Sequence, residues 1–389
     1  MNFLFDNSHF TDMDAAESGC YLITNGLGGY SCLDLAGGTS RNDHAIFMAA
    51  LKAPNVRYNM ITNLLIDILI DGVSHSLSTQ RMADGTCMDG SKYIESVSFD
   101  SNIFTSTFNI EDVRLELRIV MVHEENTLML DYHIFNPKLR NIELVLRFTP
   151  KNTPLGADAV FSIEEQSADG SIFAIDGNNL QVLCASNMDT AALSESSLYS
   201  MKWTLDTRDG RNDTGSCVIN HQLKKRTSSS DCENIVIYSM CGITDMHSRL
   251  QNGIADAFDS AVDNEKTRIS DMIQQSRLKS RLGMQLLVSA DAYIVNREST
   301  CGKTIIAGYP FFEDWGRDTM IALGGTTLAT GRFDDCKSIL KTFAKYEKNG
   351  LLPNLFPEGD LTPMYNSVDA PLLFINAVYE YIEASGDNE

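Results

Sequence analysis

The sequence predicts two kinds of structure in one chain, an antiparallel β-sandwich followed by an α-helical region. Three observations carry this expectation. Apolar and polar residues alternate up to about residue 245. Gly, Asp and Asn turn signals separate the alternating runs. From residue 253 the apolar spacing changes to the i, i+3, i+4 pattern of helices. The expected units are a sandwich over 1–252, a helical linker over 253–282 and a second domain over 283–389.

Alternation is cleanest at Arg114–Ile119 and at Asn141–Phe148, where residues 142, 144, 146 and 148 are apolar. Each run puts one face in a core and one in water, as antiparallel sheets do. Ile66–Ile70, Asn126–Phe135, Ser171–Ile175 and Ile235–Met240 read as further strands. Turns are marked by Asp71-Gly72, Asp169-Gly170, Asp176-Gly177 and Asp209-Gly210. Ile254, Ala257, Phe258, Ala261 and Val262 then open a charged helix expected to reach about Leu282. Apolar helices are expected at Met284–Val295, Thr319–Thr330, Asp334–Lys348 and Ala370–Ala384. Gly331 and Gly350 stand just past two helix ends, where a left-handed cap favours glycine. Four such helices with long Pro/Gly-rich loops make a poor closed domain, so the chain reads as a truncated part of a longer parent.

Composition narrows the function. Of 389 residues, 43% are hydrophobic and 21% charged, which suits globular domains and excludes collagen-like, coiled-coil and disordered classes. The formal net charge of −21 repels nucleic-acid phosphates and anionic lipid, and leaves neutral ligands such as sugars compatible. No apolar run approaches the roughly 18–20 residues of a membrane span. The start, MNFLFDNSHFTDMD, lacks the basic and apolar regions of a signal peptide, so a cytoplasmic location is expected. The nine cysteines form no CxxC pair and read as a reduced set, mostly buried as small hydrophobes. The histidines form no HxxxH or HExxH pair, so no metal site is expected.

Chemistry concentrates in Gly308-Tyr309-Pro310-Phe311-Phe312-Glu313-Asp314-Trp315-Gly316-Arg317-Asp318-Thr319. Sugar sites need such groups, because ring faces stack on aromatics and hydroxyls need paired donors and acceptors. The same residues also suit a plain helix start with Asp318 as N-cap. A second cluster, Asn354-Leu355-Phe356-Pro357-Glu358-Gly359-Asp360 and then Tyr365-Asn366-Ser367-Val368-Asp369-Ala370-Pro371, has the same ambiguity, with Asp369 as a possible N-cap. Thr24–Tyr30 lacks GxGxxG spacing and reads as a tight turn, while His44 reads as a histidine bonded within its domain and Trp203 as core.

Thr24–Tyr30, with Ser40-Arg41 and His44 behind it, resembles the N-terminal signature of bacterial and archaeal glycogen-debranching enzymes. More specifically, GYPFFEDWGRDTMIALGGTTLATGRF at Gly308–Phe333 is similar to their amylo-α-1,6-glucosidase domain, and Leu352–Asp369 continues the likeness. The resemblance spans nearly the whole chain. Phe311 departs from it where Trp is usual, as do Gly324 where Pro is usual, the polar Ser40–Asp43, Leu355 and Leu373. It implies an N-terminal β-sandwich followed by the first helices of an (α/α)6 barrel, since the residues after Met284 are too few for twelve helices of about 11–12 residues each.

The implied activity is glycogen debranching, the hydrolysis of α-1,6-glucosidic branches in glycogen or a branched α-glucan. The implied mechanism inverts the anomeric centre with two carboxyl groups roughly 6.5–9.5 Å apart, and such hydrolysis needs no cofactor. Arg317 and Asp318 would hold outer glucose hydroxyls, Trp315 and Tyr309 would stack on sugar, and Asp314 and Asn366 would line the site. Asp369 would be the general acid, its pKa raised by aromatic and apolar neighbours, with Glu358 as the fallback. The base would lie beyond Glu389. The alternatives are a related (α/α)6 hydrolase of α-1,4-glucans or trehalose, and a non-catalytic α-glucan-binding or scaffolding protein.

Overall fold

A computed structural model describes residues 3–157, 165–169, 172–227, 233–243, 252–276, 278–355 and 363–388. Two antiparallel sheets face each other across an apolar core. The first runs, in spatial order, through residues 3–6, 94–100, 103–110, 113–121, 127–135, 234–242, 180–186, 172–177 and 165–169. The second runs through 189–202, 214–227, 142–154, 56–70, 45–52, 30–32 and 23–24, with 73–76 paired to the strand 56–70. The alternation at 114–119 and 142–148 does what its period dictates. Leu115, Leu117, Ile119, Leu144, Leu146 and Phe148 point into the shared core with Ile68, Tyr132 and Ile237.

The helices are α1 (Met13–Ala16), α2 (Thr204–Arg208), α3 (Ile254–Gln275), α4 (Arg281–Asp291), α5 (Gly316–Leu323), α6 (Phe333–Ala344) and α7 (Asp369–Ser385). The stripe Ala257, Phe258, Ala261 and Val262 lays α3 on the outer face of the first sheet, against Val120, Met129 and Met240. Helix α3 stops at Gln275 rather than Leu282; Ser276 closes it with a hydroxyl hydrogen bond to the Ile273 carbonyl at 2.8 Å.

Two other expectations need correction. The helix expected over Met284–Val295 ends at Asp291, and Ile294–Arg297 forms a hairpin with Gly302–Ile305. The β-branched Ile294 and Val295 favour extended backbone, and the Asn296 amide donates to the Gly26 carbonyl of the sandwich at 2.8 Å. The helix expected over Thr319–Thr330 starts earlier, at Gly316, and widens into a π-turn at Gly324–Leu328. There two glycines precede Thr326, Thr327 and Thr330, whose hydroxyls bond back to the Ala322, Leu323 and Thr326 carbonyls and compete with regular helix pairing.

Helices α5, α6 and α7 share a second core made of Met320, Leu323, Cys336, Ile339, Leu340, Phe343, Ala377 and Tyr381 with Ile294 and Ile305 of the hairpin. A buried polar knot joins this core to the sandwich. Asp314 accepts from Arg297 at 2.7 Å, Thr304 at 3.0 Å and Asn55 of the sandwich at 2.7 Å. Beside it, the buried Arg57 donates to the Pro310 and Phe312 carbonyls, each at 2.8 Å.

Removing one member of a buried ion pair strands the other charge, a loss of about 3–5 kcal/mol. Asp314→Ala should therefore lower the urea midpoint sharply, while Arg297→Met/Asp314→Leu should lose less than Asp314→Ala alone; equal losses would show that the pairing itself does not hold the seam. Helix α7 also leaves Leu372, Ile375 and Tyr379 exposed at 69%, 67% and 61%. That apolar stripe should make the 389-residue chain self-associate as concentration rises, and sedimentation should show Leu372→Lys/Ile375→Glu relieving it.

Candidate active site

The densest sequence motif divides between burial and exposure. Asp314 lies inside the knot, where burial pushes its carboxyl up against the opposing pull of Arg297, Asn55 and Thr304. The expectation that it lines a sugar site is corrected: all its reach is spent on protein partners, and it anchors the loop. Tyr309 likewise sits in the seam rather than at an open wall. Its ring meets Tyr30 at 5.4 Å and Tyr293 at 5.7 Å between centroids, with the Arg57 guanidinium 5.9 Å from its own centre.

Trp315 occupies the N-cap position of α5, its backbone bridged to Leu355. The neighbouring Gly316 amide donates to the Asn354 carbonyl at 2.9 Å. A side chain at Gly316 would place its Cβ 2.2 Å from the Pro353 carbonyl oxygen, so only glycine permits this approach. The second motif thereby folds onto the first. The Asn354 amide donates to the Met364 carbonyl at 2.8 Å, its side-chain amide lies 3.4 Å from Asn366 Oδ1, and the Tyr365 hydroxyl donates to the Tyr346 carbonyl at 2.7 Å. Glu358 lies outside the described residues.

Neither Asp318 nor Asp369 is an N-cap. Asp318 is the third residue of α5, behind Trp315, and Asp369 is the first of α7, behind Val368. Packing of α5 on α7 brings both carboxylates to one cation. Arg317 Nε lies 3.9 Å from Asp318 Oδ2, and Arg317 Nη1 lies 4.0 Å from Asp369 Oδ2. All three side chains are open to solvent, at 51%, 44% and 48% exposure for Arg317, Asp318 and Asp369. Each carboxylate stands in a helix's first turn, where the helix dipole favours negative charge.

The raised pKa expected for Asp369 is also corrected. The Ser367 hydroxyl donates to its carboxylate, and with Arg317 nearby holds it below the ordinary carboxylate range. In the neighbouring loop Glu313 goes the other way, because partial burial raises its carboxyl. Sequence reasoning did not single out Glu313, and its signal was only its place in the aromatic motif.

Arg211 escaped sequence reasoning, and Arg41 entered it only as part of the N-terminal signature. Arg41 and Arg211 flank the Phe311 ring, with guanidinium carbons 5.7 and 5.5 Å from its centre. They come from distant segments of the sandwich, and no local pattern could have paired them with residue 311. His44 is bonded within its domain, receiving the Ser40 amide at Nδ1 over 3.4 Å, and burial pushes it down to about 3.

Residues 20–231 match the family model described as the N-terminal part of glycogen debranching enzyme, and residues 288–389 match that described as amylo-alpha-1,6-glucosidase. A glycogen debranching enzyme from Saccharomyces cerevisiae is 37% identical over 123 residues, covering 28% of this chain and 8% of that enzyme. Among solved structures, a bacterial glucoamylase complexed with acarbose superposes with a TM-score of 0.53 at 12% identity, over 87% of this chain and 51% of the other. A putative kojibiose phosphorylase from the human microbiome gives 0.52 at 11% identity, over 99% and 56%. The chain thus spans about half of each of these solved proteins, and the likeness agrees with a sandwich that leads into the first helices of an (α/α)6 barrel. The N-terminal family match alone covers more than half of the chain, and the protein belongs to the glycogen debranching enzyme family.

Proposed function

We propose that this chain carries the glucose-gripping side of an α-1,6-glucosidase site that hydrolyses branch linkages of glycogen or a related α-glucan with inversion. The observation that carries this reading is the exposed triad in which Arg317 lies between Asp318 and Asp369 at the N-terminal ends of two packed helices. Each sugar hydroxyl both donates and accepts, so a fixed cation beside a fixed carboxylate reads hydroxyl positions at set distances. Charge-assisted hydrogen bonds of this kind contribute roughly 1.5–3 kcal/mol each.

Within this reading Arg317 and Asp318 hold outer hydroxyls of the terminal glucose, with Trp315 and Asn366 beside them. Asp369 donates the proton to the leaving oxygen. The Ser367 hydroxyl first, and Arg317 beside it, hold its pKa low; a bound glucan that excludes water and draws these groups to its own hydroxyls raises it toward the working range. A second carboxyl activates water on the other face of the sugar. Release of free glucose from branched but not linear glucans would separate this activity from that of an α-1,4 hydrolase, and glucan binding without any turnover would favour a scaffolding role.

Kinetics on the whole protein distinguish the two carboxylates. A general acid contributes typically ~10²–10⁴-fold, and an amide has no proton to give. Asp369→Asn should cut kcat on natural branches by that factor and spare glucosyl fluoride, whose leaving group needs no proton. Asp318→Asn should weaken both substrates alike, because it holds sugar rather than proton. Equal losses on both substrates for Asp369→Asn would remove it from the acid role.

A further inference from the structure

Away from the triad, three side chains of metal-binding type meet on the sandwich. Cys20 sits on an entering segment whose backbone pairs with Asp34, Cys32 ends the strand Tyr30–Cys32, and His44 precedes the strand Ala45–Lys52. Their two sulfurs and a ring nitrogen lie within 4.8 Å of one another. The Tyr21 amide donates to the Leu33 carbonyl at 3.0 Å and the Leu35 amide to Gly19 at 2.9 Å, so backbone pairing on both sides holds Cys20 in place. Ligand atoms of a tetrahedral zinc shell lie about 3.5–4 Å apart, so the cluster needs only small side-chain adjustments to close.

A carboxylate stands beside the His44 ring. Asp34 Oδ1 lies 3.6 Å from His44 Nδ1 and accepts from the Ser40 hydroxyl at 2.6 Å. Its other oxygen, Oδ2, is buried without a hydrogen-bond partner among the described residues. A buried orphan oxygen costs free energy that a cation would recover.

We propose that Cys20, Cys32 and His44 form a site for one zinc ion, with Asp34 beside the His44 ring as the supporting carboxylate. A Cys20–Cys32 disulfide is the competing use of the two sulfurs, and it would leave Asp34 Oδ2 without a partner among the described residues. Cys20 is exposed and lines a cavity of about 520 Å³ with Tyr21, Phe104, Val288 and Tyr293, which gives a cation access. Binding releases the two thiol protons to solvent and involves no electron transfer. The ion staples the entering segment to the 40–44 turn, whose Arg41 lies over Phe311 beside the candidate active site.

Co²⁺ added to the reduced, metal-stripped protein is the test. The expected result is one Co²⁺ per chain with thiolate-to-cobalt charge-transfer and tetrahedral d–d bands, both removed by equimolar Zn²⁺. Cys20→Ser, at an exposed position, should stay folded by circular dichroism and lose the charge-transfer bands and the zinc-induced rise in Tm. Asp34→Asn should weaken Zn²⁺ affinity about 10–100-fold, the usual effect of removing a supporting carboxylate. Absence of the bands while both thiols react freely with a thiol reagent would overturn the proposal. So would bands that survive Cys20→Ser, or a Cys20–Cys32 disulfide in the protein as isolated.

Discussion

Arg297 and Asp314 face each other at 2.7 Å with almost no solvent access, and the position of the candidate site depends on that contact. Arg297 comes from the hairpin after α4, Asp314 from the loop before α5, and Asn55, which reaches the other carboxylate oxygen, from the sandwich. Three segments are thus tied at one buried carboxylate. Such a pair adds little net stability over an apolar replacement, but it tolerates few alternative geometries. It sets where α5 begins, and so where Arg317 and Asp318 stand.

Asp314 and Asp318 are four residues apart and have opposite fates. The first precedes the helix and turns inward to a cation; the second is in the first helical turn and stays in water. Arg57 adds to the division by holding the Pro310 and Phe312 carbonyls, which fixes the loop and leaves Phe311 outward between Arg41 and Arg211. The sandwich is therefore more than a neighbour of the helical region. It supplies the cations that shape the loop leading into the site.

The triad on α5 and α7 owes its geometry to the apolar core below it. Met320 and Leu323 pack with Ala377 and Tyr381, and this brings the two helix starts side by side. Gly316 allows the Pro353–Leu355 segment to touch the start of α5. With the face above the triad open, burial does not offset the Ser367 hydroxyl, which with Arg317 holds Asp369 below the ordinary carboxylate range in this state. Acidity suited to proton donation requires a drier surrounding than these residues provide alone.

By itself the sequence determined what local periodicity can determine. Alternation at 114–119 and 142–148 specified strands and their inward faces, because side chains in a strand point up and down by turns. The spacing at 254–262 and 336–344 specified amphipathic helices, and the motifs at 308–319 and 365–371 singled out Arg317, Asp318 and Asp369. Tertiary structure alone decided which carboxylates meet water. Asp314 and Asp318 look alike in the sequence, and only the approach of Arg297 and Asn55 turns one inward. The hairpin at 294–305 is likewise anchored from afar, by backbone hydrogen bonds from Asn296 to Gly26 and from Glu298 to Ala53 of the sandwich. Cys20, Cys32 and His44 are twelve residues apart on three separate segments, so no short motif could announce that they converge. Local pattern reports which face of an element is apolar; what lies opposite that face is settled by packing between segments far apart in the chain.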